Sequence, residues 1–327
     1  MRRAGLLALL IGLALPASAA AQSYRDGSVY AEVTPASVVL GNSLAERSWD
    51  RSSFRTTALT DKRGRTWSRD RRDFSLDLVG GAEISSELFH ATAVRVDPLP
   101  RGGLRMAMDL AGPGGLAATR VAEAYPGVAG FRTQTTLRSV APLALAGATL
   151  DEAATGPATP TIDAFRAGGD WREPDWPGPQ VKVGDAHPGT WRDSRSAGRG
   201  EALSGPAQWL TAVDGGDSLF MVMERNDLPS SRAAYDGGVA SLRVDYTRDI
   251  ISLGPFEEQA HAENPADAQV GRQRVVRPGA PLALEAAFTG FGHGDGDEAW
   301  QFHKYLAGHR LHPYAHAVTF NSNGTDD

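Results

Sequence analysis

The stretch "LRMAMDL", residues 104–110, sets the reading of the whole chain. Leu104, Met106, Met108 and Leu110 are apolar and alternate with Arg105, Ala107 and Asp109. A period of two is the signature of a strand with one face buried. The same pattern recurs outward from it. Leu242, Val244 and Tyr246 alternate with Ser241, Arg243 and Asp245, and Leu282, Leu284, Ala286 and Phe288 form a third such run. Phe74, Leu76 and Leu78 form a fourth, after a predicted hairpin in which "DKRGR" joins Ala58 and Leu59 to Thr66 and Trp67. Gly 37 and Pro 20 supply the turns between such runs. No amphipathic helix stands out between Ser28 and Gly290. So long a series of short strands exceeds one immunoglobulin-sized sandwich and predicts an all-β chain built as one large two-sheet sandwich.

The pattern changes once, at "GDGDEAWQFHKYLAGHRLHPY", residues 294–314. Asp297 is positioned as an N-cap and Glu298 adds charge to the first turn. Ala299, Phe302 and Leu306 then recur at helical spacing until Gly308. The expected order is therefore a sandwich over 22–292, one C-terminal linking helix over 293–313 and a short trailing strand within 314–327.

At the other end, Arg2 and Arg3 precede an apolar run from Leu6 to Leu15, Pro16 and the small residues Ala17 to Ala21. That order predicts a secretory signal over residues 1–21 with an Ala-x-Ala cleavage site. About ten apolar residues fall short of the roughly 20 that a membrane-crossing helix needs. The expected protein begins near Gln22 or Ser23 and is secreted or periplasmic. The sequence contains no cysteine, so the fold rests on a core rather than on disulfides, and thiol nucleophiles and thiolate metal sites are excluded. The net charge of −6 becomes two units more negative once Arg2 and Arg3 leave, and no block of like charge occurs. Nucleic acid and anionic membrane are not expected partners.

Familiar catalytic signatures are missing: there is no Gly-x-Ser-x-Gly elbow, no His-Glu-x-x-His and no phosphate loop. His303, His309, His312 and His316 spread over the helix and the turn after it and read as polar surface, so neither metal nor cofactor is expected. Glu257 and Glu258 are adjacent, and neighbours on a strand point to opposite faces. "GGDWREPDWPGPQVKVGDAHPGTWRD", residues 168–193, carries more chemistry, with Trp171, Trp176 and Trp191 in polar, turn-rich sequence rather than in strands. Indole stacks on the C–H face of a sugar while carboxylates and guanidinium groups hold its hydroxyls. Asp170, Asp185 and Arg192 therefore complete a candidate carbohydrate surface. The alternative reading is that these tryptophans plug the segment onto the sandwich or a neighbouring domain.

"VVLGNSLAERSW" (38–49), "SLFMVMERND" (218–227), "LRVDYTRDIISLGPFEE" (242–258), "GDGDEAWQFHKYL" (294–306) and "VTFNSNG" (318–324), taken in this order, resemble the N-terminal part of α-galactosidase-like glycoside hydrolases, family 36 and its relatives. The resemblance covers nearly all of the chain after the signal. It implies a galactose-mutarotase-like β-supersandwich, a linking helix and then a (β/α)8 barrel whose two aspartates act as nucleophile and acid/base. Val318 to Phe320 would be the first barrel strand, truncated after Asn321, Ser322 and Asn323 at the strand end where barrel sites cluster. No catalytic residue of the family can be placed in this chain. The resemblance implies a non-catalytic sandwich module with carbohydrate, galactoside-type or another oligosaccharide, and a C-terminal catalytic barrel as its partners. The alternatives are a free-standing carbohydrate-binding protein and a mutarotase-type aldose epimerase.

Overall fold

The computed structural model describes residues 21–167, 180–182, 190–224, 231–246, 274–294 and 296–310. Strands dominate among the described residues, and every pairing between these strands is antiparallel. The all-β expectation holds, and hydrogen bonding divides the sandwich into three sheets rather than two. The first is a meander in which Gln22–Asp26, Val29–Val33, Ser37–Gly41, Ala45–Asp50, Arg55–Asp61 and Thr66–Ser68 pair in chain order. The hairpin predicted around "DKRGR" is its last turn.

The large sheet has eleven strands. From one edge, His90–Pro98, Leu104–Ala111, Leu116–Ala124 and Gly130–Ser139 follow in sequence. Ala287–His293 then enters between Gly130–Ser139 and Asp217–Met223, and Trp209–Asp214, Thr159–Ala167, Thr190–Ser196 and Gln180–Lys182 complete the order. The third sheet runs Leu203–Pro206, Ser231–Asp236, Val239–Asp245, Leu143–Ala154, Ser75–Leu78 and Glu83–Ser85. One apolar core draws on all three sheets, with Val38 and Trp49 from the first, Met106, Met108 and Phe131 from the second, and Leu145 and Leu242 from the third. Leu104, Met106, Met108 and Leu110 are all buried, as their alternation requires.

The run Leu282 to Phe288 is not one strand. Leu282–Ala283 pairs with Gly130–Ser139, the chain departs, and a new strand starts at Ala287. Leu284 keeps its amide bonded to the Thr135 carbonyl and faces the main core, as do Ala287 and Phe291, whereas Phe288 faces the second cluster, so the period-two run changes face across the break.

Where the three sheets meet, the core is ionic. Arg47, Asp73, Arg120 and Asp151 are all buried. Arg47 donates from Nη1 and Nη2 to Asp151 at 2.8 and 2.6 Å, and from Nη2 to Asp73 Oδ1 at 2.5 Å. Arg120 Nε lies 2.7 Å from Asp73 Oδ2. Asp73 Oδ1 also accepts from Trp49 Nε1 and Thr56 Oγ1, and Asp151 Oδ2 accepts from Thr289 Oγ1. Two cations thus face two anions, which is the condition under which buried charge is tolerated. Burial, the largest influence on Asp73, pushes its carboxyl upward, but Arg120 and Arg47 with the Trp49 and Thr56 donors outweigh it and hold it below the usual carboxylate range.

Candidate functional site

The helix expected after the sandwich spans Asp297–Tyr305 and continues as a wider turn over Leu306–Arg310. Its cap is Gly296, in the left-handed region at φ 79°, not Asp297. Asp297 turns its carboxylate back to the His293 amide and to Arg63 instead, with Gln301 Nε2 on its other oxygen. Ala299, placed by its spacing on the buried stripe, faces solvent, whereas Gln301 and Tyr305 are buried. The rotation follows from two polar anchors. Gln301 Oε1 accepts from the Ala129 amide, and the Tyr305 hydroxyl donates to Glu224.

This helix packs on the outer face of the large sheet, away from the main core. Val222, Phe220 and Phe288 project there and form a second apolar cluster with Tyr125, Val128 and Tyr305. With the core beneath and the helix above, Asp217–Met223 is buried on both faces, which is why "SLFMVM" reads as a continuous apolar run. Trp209 stacks on Phe220 with centroids 5.3 Å apart, and Phe288 stacks on Tyr305 at 4.5 Å. Phe302 meets Trp209 edge-on at 5.4 Å. Gly290 makes the close packing possible, because a Cβ there would come within 2.6 Å of the Phe220 ring.

At one end of this seam the aromatic rings give way to ions. Glu224 follows directly on Asp217–Met223. Its carboxylate takes Arg132 Nε at 2.9 and 3.0 Å, the Tyr305 hydroxyl, and Arg310 Nη2 at 3.4 Å. Tyr125 donates to Glu123 at 2.6 Å. Burial first, and then the charge of Glu123 or Glu224, pushes both the Tyr125 and Tyr305 hydroxyls far above the usual phenol range, so both remain donors. The His309 ring lies 4.4 Å from that of Tyr125, and burial followed by the charge of Arg101 holds its imidazole below the usual range. An adjoining cleft of about 450 Å³ is walled by Trp209, Val222, Met223, Phe302 and Leu306, together with Gln208, Glu224 and Arg310. With Arg132, Tyr305 and Arg310 all directed at Glu224, its carboxylate is engaged in holding the helix rather than poised as a base. Tyr305→Phe removes one donor from that charged acceptor, and chemical denaturation should show a loss of about 1.5 kcal/mol.

Trp191 and Arg192 do not lie in a loop. They belong to Thr190–Ser196, in register with Arg166 and Phe165 on one side and with Lys182 and Val181 on the other. Period-two alternation cannot reveal a strand whose sequence is polar but for one residue, as "TWRDSRS" is apart from Trp191. Trp171, Trp176, Asp170, Asp185, Asn321, Ser322 and Asn323 lie outside the described residues, as do Glu257, Glu258, His312 and His316. The residues that pin the helix, Glu224, Arg132 and Tyr305, were not singled out by sequence. The signal available was Glu224 at the end of an unbroken apolar strand.

No protein-family model matches the sequence, and no curated protein matches it. Solved structures do resemble it in fold. The α-galactosidase from Lactobacillus brevis matches 84% of this chain with a TM-score of 0.52 at 8% identity. The galactosidase domain of an α-galactosidase–sucrose kinase matches 89% with a TM-score of 0.53, also at 8% identity. A Klebsiella pneumoniae protein assigned as an aldose 1-epimerase matches 87% with a TM-score of 0.51, again at 8% identity. The fold is a galactose-mutarotase-like β-supersandwich. This supersandwich spans 42% and 44% of the two galactosidase chains and 90% of the epimerase chain. At such identity the likeness is one of architecture, and no residue is transferred by it.

Proposed function

We propose that this supersandwich is the non-catalytic module of a secreted or periplasmic α-galactosidase-like glycoside hydrolase. In this reading residues 1–21 are an export signal, the helix within 293–313 links the module onward, and 314–327 begin a catalytic barrel that performs hydrolysis on a carbohydrate. The observation that carries it is the helix Asp297–Tyr305, which docks over Ala287–His293 and Asp217–Met223 on the outer face of the large sheet with Phe302 and Tyr305 and engages Glu224. Chemistry of the mutarotase type needs an acid and a base free to reach a sugar, and the Glu224 carboxylate beside this helix is already engaged by Arg132, Tyr305 and Arg310. The likeness to two galactosidases over less than half of their length is consistent with a module. The 90% coverage of the assigned epimerase favours a second reading, a self-sufficient epimerase.

One set of assays separates the two. The chain should release no nitrophenol from α- or β-nitrophenyl galactosides and should not accelerate the mutarotation of fresh α-galactose above buffer in a polarimeter. A version extended in frame by its downstream coding sequence should hydrolyse the α-linked substrate. Mutarotation that vanishes in Glu224→Gln would establish the epimerase reading. Hydrolysis by the chain alone would overturn the module.

A further inference from the structure

Three parts of the fold converge on His293: the hairpin after Arg55–Asp61, the strand Asp217–Met223, and the start of the helix. Its Nε2 lies 2.8 Å from Asp61 Oδ2, and its Nδ1 lies 2.7 Å from Asp217 Oδ1. Asp61 is buried and belongs to the first sheet, whereas Asp217 is the cross-strand partner of His293 in the large sheet. Arg63 ties the same elements from the hairpin side. It reaches Asp61 Oδ1 at 3.1 Å, the Phe291 carbonyl at 3.2 Å and Asp297 Oδ2 at 3.3 Å. Asp297 in turn accepts from the His293 amide at 3.0 Å.

A neutral imidazole carries one N–H and one lone pair. A ring with a carboxylate oxygen within 3 Å of each nitrogen is held by both as an ion pair only when both nitrogens are protonated; otherwise one lone pair faces an anion. We propose that His293 is a pH-dependent clasp whose doubly protonated ring ties the Asp61–Arg65 hairpin and the head of the helix to the large sheet. The charged groups around it are acidic apart from Arg63. Asp61 and Arg63 come from the hairpin, Asp217 from the neighbouring strand, and Asp297 from the helix, where Glu298 packs over Gly292. Carboxylates outnumber cations there, and the ring proton offsets part of the excess. The clasp is closed while the ring holds both protons and opens when one of them is lost. His309, whose neutral form is favoured, works in the opposite sense on global stability, so a local measurement is needed.

Hydrogen exchange read by mass spectrometry on the full chain, at pH 5.5 and pH 8.5 and corrected for intrinsic rates, provides it. Protection in peptides covering 61–66 and 293–305 should fall about tenfold at the higher pH, the equivalent of one charge-assisted hydrogen bond. The Leu104–Ala111 peptide should not change. His293→Gln, at a half-exposed position, should be weakly protected at both pH values, and His293→Lys, with a charge that persists, should lose the response while keeping more protection than His293→Gln. A wild-type hairpin with no pH response, or one that responds equally in His293→Gln, overturns the clasp.

Discussion

Asp73→Ala is expected to destabilise the fold by about 3–5 kcal/mol and to lower the thermal midpoint by about 6–10 °C. The removed carboxylate faces Arg47 and Arg120 with no solvent to replace it, and it also accepts from Trp49 and Thr56. Asp151 would remain as the single anion between two buried guanidinium groups. The cost is that of an uncompensated buried charge, far above the value of an exposed ion pair. A pH profile gives an independent check. The Asp73 carboxyl is held below its unfolded value, which lies near about 3.9. A depressed carboxylate contributes stability that is complete above the unfolded value and is lost as pH falls through the folded one. Wild-type protein should therefore lose stability as pH drops below about 4, and Asp73→Asn, which cannot titrate, should lack that part of the acid slope. An unaltered midpoint in Asp73→Ala would mean that the quartet does not close the core.

The second large effect is expected at Asn42, which is fully buried in the turn between Ser37–Gly41 and Ala45–Asp50. Its Nδ2 donates to the carbonyls of Tyr125 and Val128, both at 2.7 Å. Its Oδ1 accepts from the amides of Leu44 and Ala45 at 2.7 and 2.9 Å. One amide side chain thus completes a turn in the first sheet and fastens it to a loop of the large sheet. Asn42→Ala deprives these backbone groups of a partner without admitting water, at a cost of about 2–4 kcal/mol. Asn42→Asp is the sharper variant. The acceptor is kept, but the donor becomes a second oxygen facing two carbonyls, and an ionised carboxylate there is buried while the neighbouring Lys62 Nζ is bonded at 2.9 Å to the backbone carbonyl of residue 42. At pH 7 it should be worse than alanine by urea denaturation, and it should recover toward pH 4 as protonation restores a donor. Equal stability of the two variants across that range would remove Asn42 from its role as fastener.

These two positions also mark where the sequence could be read and where it could not. Alternation at Leu104–Leu110 and Leu242–Tyr246 was legible because one face of each strand is wet and the other is core. The helix was legible as an element, but its buried face was set by Gln301 and Tyr305, polar-tipped residues that a stripe of Ala299, Phe302 and Leu306 does not weigh. The quartet was hidden because its members are far apart in the chain and charged residues in strands read as solvent-facing. Arg120 was the available clue, since it shares the inward parity of Leu116, Ala118, Ala122 and Ala124. Asn42 was visible as a turn residue, whereas its two long-range bonds depend on how the sheets stack. In the candidate site, Glu224 depends on contacts with Arg132, Tyr305 and Arg310 that lie far off in sequence.

The place of Ala287–His293 in the large sheet carries a consequence for how the protein is made. That strand sits between Gly130–Ser139 and Asp217–Met223, both of which leave the ribosome well before it. Until residue 293 has emerged, each of them presents a bare edge, open to pairing with the wrong strand or with another nascent chain. No N-terminal portion can complete the sheet early, so closure is a late, cooperative event governed by contacts of long sequence separation. The helix follows within a few residues of the inserted strand, and translation therefore delivers the cover for the outer face at nearly the moment that face comes into being.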